Sequence, residues 1–288
     1  MTAATAPVGA VPARAPSWFA KRALVYFLLL CICALFFVPF LWTITTSFKT
    51  LPDSVNVNLI PKIWTTSAWH TIFSGYDFGR YIRNSIFLAA VVTACNIFLA
   101  GLGGYAFARL KFPGRELLFL LVLGTLMVPD QLRLIPVFVM LVNWGLYAHF
   151  TGYILINLVT ATNLFFMRQY FLTIPKDFEE AAKLDGAGPF KTFWRVMLPL
   201  ALPAIAALTI MQFQGTWNDF FWPLIIFGQG SPHLYTVQLG LAQLVITYGT
   251  NWPALMAGSI IAIIPILVIF LVFQRYFIAG VVAAGVKG

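Results

Sequence analysis

The sequence predicts an all-α polytopic membrane protein: six transmembrane helices, with a cytoplasmic loop built on a short polar helix between the fourth and the fifth. Three observations predict it. Of 288 residues, 60% are hydrophobic and only 9% are charged, whereas a soluble domain carries roughly a quarter charged residues. Apolar runs of about 20 residues, the length that crosses a bilayer, recur along the chain. The lysines and arginines fall in short clusters between those runs, as the positive-inside rule requires. The net charge of +9 is therefore spread over membrane flanks rather than gathered into one basic stripe, which argues against nucleic acid as a partner.

Residues 1–20, rich in Ala, Pro and Thr, are expected to form a disordered cytoplasmic tail, and 21–288 a single membrane domain. Ala23 to Phe48 carries no charge and is longer than the apolar core of a signal peptide. It reads as the first span, entering from the cytoplasm beside Lys21 and Arg22. Lys49 to Tyr81, with Pro52, Pro61, Trp64 and Trp69, reads as an external loop with interfacial aromatics. The second span covers Asn84 to Ala108. Its Ala100, Gly104 and Ala108 recur at i, i+4 and i+8, either as a stripe for close helix packing or because glycine is simply common in membrane helices. Arg109, Lys111 and Arg115 mark a cytoplasmic turn.

The third span starts near Glu116, and Pro129, Asp130, Arg133 and Pro136 predict a break or kink in its outer half. Asn143-Trp144-Gly145 closes it outside. The fourth runs from about Thr151 to Phe166 and returns to the cytoplasm at Arg168. The fifth covers about Leu202 to Phe227 and contains Gln212, Gln214, Asn218 and Asp219. Gly228 to Asn251 reads as an external loop. The sixth span, about Pro253 to Phe273, ends at Gln274-Arg275, leaving 281–288 as a short tail. In this topology Lys49, Lys62, Arg80, Arg83 and Arg133 lie outside, and the other 13 of the 18 basic residues lie inside. Both termini are then cytoplasmic.

The loop of about residues 174–203 holds a polar island, Ile174 to Gly188, between apolar runs. Asp177 is a good N-cap, and Glu180 three positions later completes a capping box. Glu179 and Glu180 suit the positive first turn and Lys183 the last. Gly186 can take the left-handed conformation that ends a helix, and Pro189 then opens a second helix reaching about Met197. Ala181 and Ala182 give the first helix little bulk. Such a helix fits a groove in another protein, or it rests on the membrane between two spans; local physics leaves both open.

Catalytic and cofactor chemistry find little support. Gly186 to Thr192 ends in Lys-Thr, but a Walker A loop needs Gly directly before the Lys and a strand in front, and here Phe190 precedes Lys191. Cys31, Cys33 and Cys95 lie within apolar runs without ligand spacing. His70, His149 and His233 map to external ends, so neither a metal nor another cofactor is expected in this chain. Asp130 and Asp219 sit in apolar segments, where they can form a protease dyad, relay protons, or serve as polar groups of a water-lined bundle. Asp130 has Arg133 at i+3, which suggests pairing. Gln214 lies four positions before Asn218, so the two can share a polar face. With Asp130 and Asp219 they are the candidates for lining a path.

Glu180-Ala181-Ala182, then Gly186, then Val196-Met197-Leu198-Pro199 resembles the "EAA" loop of ABC importer membrane subunits. Gly104-Tyr105-Ala106-Phe107-Ala108-Arg109 running to Pro113-Gly114-Arg115 resembles carbohydrate importer permeases. So do Met127-Val128-Pro129 with Leu134-Ile135-Pro136, Trp217-Asn218-Asp219-Phe220 with Trp222-Pro223-Leu224, and Gln274-Arg275-Tyr276-Phe277. The ending Ala284-Gly285-Val286-Lys287-Gly288 departs from the usual Gly-Ala-Val-Lys-Gly. From about residue 22 onward the chain is thus similar to the maltose-type six-span permease subunit.

That resemblance implies a multi-pass protein of a bacterial or archaeal plasma membrane. It implies a second permease subunit as heterodimer partner, an ABC ATPase dimer that binds ATP and Mg, and an extracytoplasmic solute-binding protein. Glu179, Glu180, Ala181, Ala182, Asp185 and Gly186 would then couple to the ATPase, and the bundle would carry a sugar or related polyol by alternating access. A proton-coupled carrier or an intramembrane hydrolase using Asp130 and Asp219 are the other readings.

Overall fold

A computed structural model describes residues 16–228, 230–246 and 249–285, with side chains placed for 21–228, 230–245 and 249–274. Every regular element among the described residues is a helix, the form in which a single segment satisfies its own backbone in lipid. The helices of seven residues or more are α1 (Pro16–Thr46), α2 (Phe78–Arg109), α3 (Arg115–Gly124), α4 (Asp130–Asn143), α5 (Phe150–Ile156), α6 (Ala161–Thr173), α7 (Asp177–Leu184), α8 (Pro189–Leu200), α9 (Leu202–Trp217), α10 (Phe221–Phe227), α11 (Val237–Ile246) and α12 (Trp252–Gly285). Lys21–Thr46 of α1, all of α2 and Trp252–Gln274 of α12 are long and apolar enough to cross a bilayer unbroken. The pairs α3/α4, α5/α6 and α8/α9 meet that test only jointly, with bends of 102°, 46° and 76°. Each pair counted as one crossing gives the six spans that the sequence predicts.

Several boundaries differ from the sequence reading. The expected tail lies largely outside the described residues, and where they begin, at Pro16, the chain is already helical. The second span starts at Phe78, six residues before Asn84, and the loop ahead of it is ordered by short helices at Leu51–Ser54 and Ser67–His70. Within that loop Lys49 is fully buried and donates from Nζ to the carbonyls of Asn56 and Asn58. The third span does break at Pro129. Proline disfavours the α conformation in the residue before it, and Val128 is extended at φ −93°, ψ 108°.

The fourth span is not one helix over 151–166: it stops at Ile156, resumes at Ala161 and continues to Thr173. The fifth ends at Trp217, so Asn218 and Asp219 lie in a break before α10. No proline or glycine marks residues 157–160 or 218–220, which is why composition alone read both spans as continuous. The loop 228–251 contains α11, held to α2 where Asn84 Nδ2 donates to the carbonyls of His233 and Tyr235 and Val237 N–H donates to Ser85 Oγ. The last helix runs on through Gly285, and the remaining tail residues 286–288 lie outside the described residues.

Burial divides the bundle into two apolar layers. One contains Phe78, Leu88, Val92, Tyr153, Phe213, Trp217, Phe227 and Val237. The other, on the side of α7, contains Ile97, Ala100, Tyr105, Leu164, Met167, Phe171, Phe193 and Met197. In the second layer α2 packs on α6 through Ala100, Gly104 and Ala108, all buried. A Cβ on Gly104 would come within 2.6 Å of Met167 Cβ and 2.9 Å of the Arg168 backbone nitrogen. The small-residue stripe is therefore a packing seam. By contrast, α1 has none of its spanning window buried within the chain and packs chiefly along α12.

Candidate translocation cavity and coupling helix

Between the two apolar layers lies a polar one, at Asn96 of α2, Asn163 of α6 and Gln212 of α9. Asn163 Nδ2 donates to Asn96 Oδ1 and to Gln212 Oε1, each at 2.7 Å. Gln212 Nε2 donates to Thr216 Oγ1 at 3.2 Å, and Asn96 Nδ2 reaches the carbonyl of Asn157 at 3.1 Å. An unpaired polar group at this depth costs several kcal/mol, on the order of 2–7 for a buried amide. These amides avoid that cost by bonding one another across three spans.

The breaks of the third, fourth and fifth spans converge beside this layer on a cavity of about 620 Å³. Thr125, Val128, Asp130, Gln131 and Arg133 line it from the first break. Asn157, Thr160 and Thr162 line it from the second, and Gly215, Asp219, Phe221 and Trp222 from the third. Non-helical backbone at membrane depth is tolerated where it lines such a space or is buried in protein.

Of the four path candidates read from the sequence, Asp130 and Asp219 line this one cavity. Asp130 is paired with Arg133, as the i+3 spacing predicts, and both side chains are about half exposed. Asp219 accepts from Tyr153 Oη at 2.8 Å and from the Trp222 backbone N–H at 3.3 Å, so it ties the fourth span to the start of α10. Gln214 is exposed on α9 away from the cavity lining, and Asn218 accepts from Gln238 Nε2 at 3.2 Å. Asn218 is the right-handed C-cap of α9 and donates its N–H to the Gln214 carbonyl at 3.0 Å, so the i/i+4 spacing holds, but neither residue is in the cavity lining. Sequence reasoning missed Tyr153, Asn96 and Asn163. The signal available was an amide interrupting an uncharged run; the tyrosine carried none.

On the far side of the second apolar layer, α7 is the short helix of the polar island. The expected capping box does not form. Lys176 is itself helical (φ −68°, ψ −23°), and its carbonyl accepts the N–H groups of both Glu179 and Glu180. The helix thus begins one residue earlier, and Asp177 takes the first helical position rather than the cap. The other end is as expected. Gly186 is left-handed at φ +73°, Ala187 N–H donates to the Ala182 carbonyl at 2.9 Å, and Gly186 N–H donates to that of Lys183 at 3.0 Å. This is a Schellman ending.

The six coupling candidates divide between two faces. Glu179 and Ala182, three positions apart, are buried against the bundle, whereas Glu180, Ala181, Asp185 and Gly186 are exposed. Leu184 beside them is 90% exposed, and Phe190 at the start of α8 is 71% exposed. Ala181, Asp185, Lys191 and Arg195 border a hollow of about 630 Å³ between α7 and α8. On the inner face, Glu179 Oε1 lies 3.3 Å from Arg109 Nε, with the two side chains 11% and 5% exposed. Charge rather than an aligned hydrogen bond holds that contact. The same guanidinium donates from Nη2 to the Phe171 carbonyl at 2.6 Å and to the Ile174 carbonyl. In the sequence Arg109 marks a membrane side and closes a permease-like run, and neither signals this contact.

The fold defines the class as a polytopic helical membrane protein with a polar cavity among its broken spans. The family model for binding-protein-dependent transport system inner membrane components matches residues 97–282, and the chain belongs to that family. It is 36% identical to the arabinooligosaccharides transport system permease protein AraQ of Bacillus subtilis (strain 168), over 92% of this chain and 94% of that protein. It is 35% identical to the sn-glycerol-3-phosphate transport system permease protein UgpE of Yersinia pestis, over 77% and 80%. With the osmoprotective compounds uptake permease protein GgtD of a Synechocystis strain it shares 34%, over 93% of each.

Among solved structures, a bacterial ABC transporter that imports the acidic polysaccharide alginate has the same fold, with a TM-score of 0.75 at 24% identity over 93% of this chain and 100% of that one. The chain is accordingly a membrane-spanning transport subunit of a binding-protein-dependent importer and not an enzyme. That membership decides against the proton-coupled carrier and the intramembrane hydrolase as readings of Asp130 and Asp219.

Proposed function

We propose that this subunit forms half of the translocation path for a sugar or related polyol, and that the outward face of α7 couples it to an ATPase. The observation that carries the path is the convergence of three broken spans on one polar cavity. Its lining suits a hydroxyl-rich solute. Thr125, Gln131, Asn157 and Thr160 supply donors and acceptors, Asp130 and Asp219 supply carboxylates, and Phe221 and Trp222 supply aromatic faces. The names of two relatives, which concern arabino-oligosaccharides and sn-glycerol-3-phosphate, favour a sugar or a polyol derivative.

A second permease subunit of related fold completes the path as a heterodimer. An ATPase dimer holds ATP and Mg, and an extracytoplasmic solute-binding protein delivers the solute. Both termini and the loop carrying α7 face the cytoplasm, because the basic residues concentrate on that side. Glu180, Ala181, Asp185 and Gly186 make the docking face, with Leu184 projecting from it. Glu179 and Ala182 face the bundle instead.

Two measurements test this. In vesicles containing the assembled complex and its binding protein, neutral oligosaccharides or polyols should enter when ATP is supplied. A pH gradient without ATP should drive none, because Asp130 is paired with Arg133 and Asp219 with Tyr153. Uptake on the gradient alone would overturn the reading. For docking, Glu180→Lys and Gly186→Trp should leave the subunit in the membrane but abolish solute-stimulated ATP hydrolysis. The tryptophan must enter a left-handed turn, at about 1–2 kcal/mol before any clash with a partner. Normal stimulation in both variants would exclude docking through this face.

A further inference from the structure

We propose that the buried Arg109–Glu179 pair is the joint that carries movement of α7 into the second and fourth spans, with Glu179 as a positioning residue for coupling. The proposal rests on docking of the opposite face of α7, argued above. The covalent chain ties α7 only to its neighbours, through Ile174–Lys176 to α6 and through Asp185–Gly188 to α8. Nothing covalent ties it to α2, which ended 68 residues before α7 begins. Arg109, in the last turn of α2, makes that link.

One guanidinium there meets three groups. It donates to the carbonyls of Phe171 and Ile174, at the C-terminal end of α6, where the helix dipole places partial negative charge. It also faces the Glu179 carboxylate at 3.3 Å. Both charged side chains are nearly inaccessible, so neither water nor salt screens their attraction as it does at a surface. Meanwhile α2 and α6 cannot slide past each other freely, because their backbones meet at Gly104, where even a Cβ would overlap Met167 and Arg168. Nearby, Phe171 packs edge to face on both Tyr105 and Phe193, so the ends of α2, α6 and α8 meet in one aromatic cluster.

The consequence is mechanical. If α7 is pushed by a docked partner, it either moves α2 and α6 with it or breaks a buried ion pair. Packed interfaces shift between discrete arrangements rather than deforming continuously, so an intact pair passes the stroke to the two spans that bear Asn96, Asn163 and the break at Asn157. Glu180, one residue on, points the other way and meets the partner. Adjacent acids thereby take separate tasks.

The test uses the assembled complex and reads solute taken up per ATP hydrolysed, a ratio that does not change when a variant only lowers the amount of folded complex. Glu179→Gln keeps the size of the side chain and removes its charge. The ATPase should stay bound and hydrolysis persist, while uptake per ATP falls about tenfold, with Glu179→Asp recovering much of it. An unchanged ratio overturns the proposal. Loss of the ATPase from the Glu179→Gln complex also overturns it, because Glu179 would then belong to the docking surface. Failure of the native complex to hold an ATPase would instead overturn the docking reading.

A second measurement leaves the pair itself intact. Spin labels on Lys111→Cys and Lys183→Cys, with Cys31, Cys33 and Cys95 changed to serine, report the separation of α7 from the end of α2. It should stay the same with and without ATP, whereas a slide by one helical turn, about 5 Å, would show that α7 moves independently.

Discussion

Gly104→Val should abolish accumulation of the folded subunit in the membrane, while Gly101→Ala, one turn away on the same helix, should be tolerated. A Cβ at position 104 would stand 2.6 Å from Met167 Cβ, 2.9 Å from the Arg168 nitrogen and 3.0 Å from the Met167 carbonyl carbon. Two of those atoms are backbone and cannot rotate away. The α2/α6 seam must then open, and with it the hydrogen bonds from Asn163 to Asn96 and Gln212. Overpacking alone costs about 1–3 kcal/mol, and leaving a buried amide unpaired adds about 1–3 more. At Gly101 the nearest atoms to a new Cβ are 3.9 and 4.0 Å away, at ordinary contact distance, and alanine is the better helix former by about 1 kcal/mol. Thermal denaturation of the purified complex, with membrane content measured by blot, checks the contrast. Equal tolerance of Gly104→Ala and Gly101→Ala would show that the helices do not approach this closely.

Asp219→Leu should impair assembly, whereas Asp219→Asn should assemble and keep part of its transport. The leucine leaves two donors without an acceptor, the Tyr153 hydroxyl and the Trp222 N–H. Tyr153 is almost fully buried, so each orphaned donor costs about 1–3 kcal/mol. The two donors belong to the fourth span and to α10, and the break at 218–220 loses its anchor to both. Asparagine keeps one oxygen acceptor at the same place and can retain either bond. Recovery of the subunit with its partners reports assembly, and vesicle uptake reports transport. Full assembly of the asparagine variant with no uptake would mean that the carboxylate charge itself serves the cycle.

Much of this architecture is legible in the chain because it rests on local or one-dimensional physics. Six spans follow from apolar length. The end of α7 follows from Gly186, since a left-handed residue is nearly free only for glycine. The break before Asp130 follows from Pro129, and the Asp130–Arg133 pair from helical spacing. Ala100, Gly104 and Ala108 share a face by the same arithmetic, though only the α6 backbone against them shows that the stripe is a seam.

The tertiary structure decided what depends on partners far away in sequence. The breaks at 157–160 and 218–220 carry no proline or glycine; at the first the Asn157 carbonyl accepts from Asn96 of the second span, and at the second the Asp219 carboxylate accepts from Tyr153 of the fourth span and from the Trp222 N–H at the start of α10. Spacing says that Glu179 and Ala182 share a face and that Glu180 does not. Which face turns inward was settled by Arg109, whose buried guanidinium needed a carboxylate opposite it. Asp130 and Asp219, 89 positions apart in the chain, line one cavity because the breaks before Asp130, at 157–160 and at 218–220 fold together, and no local rule brings them there.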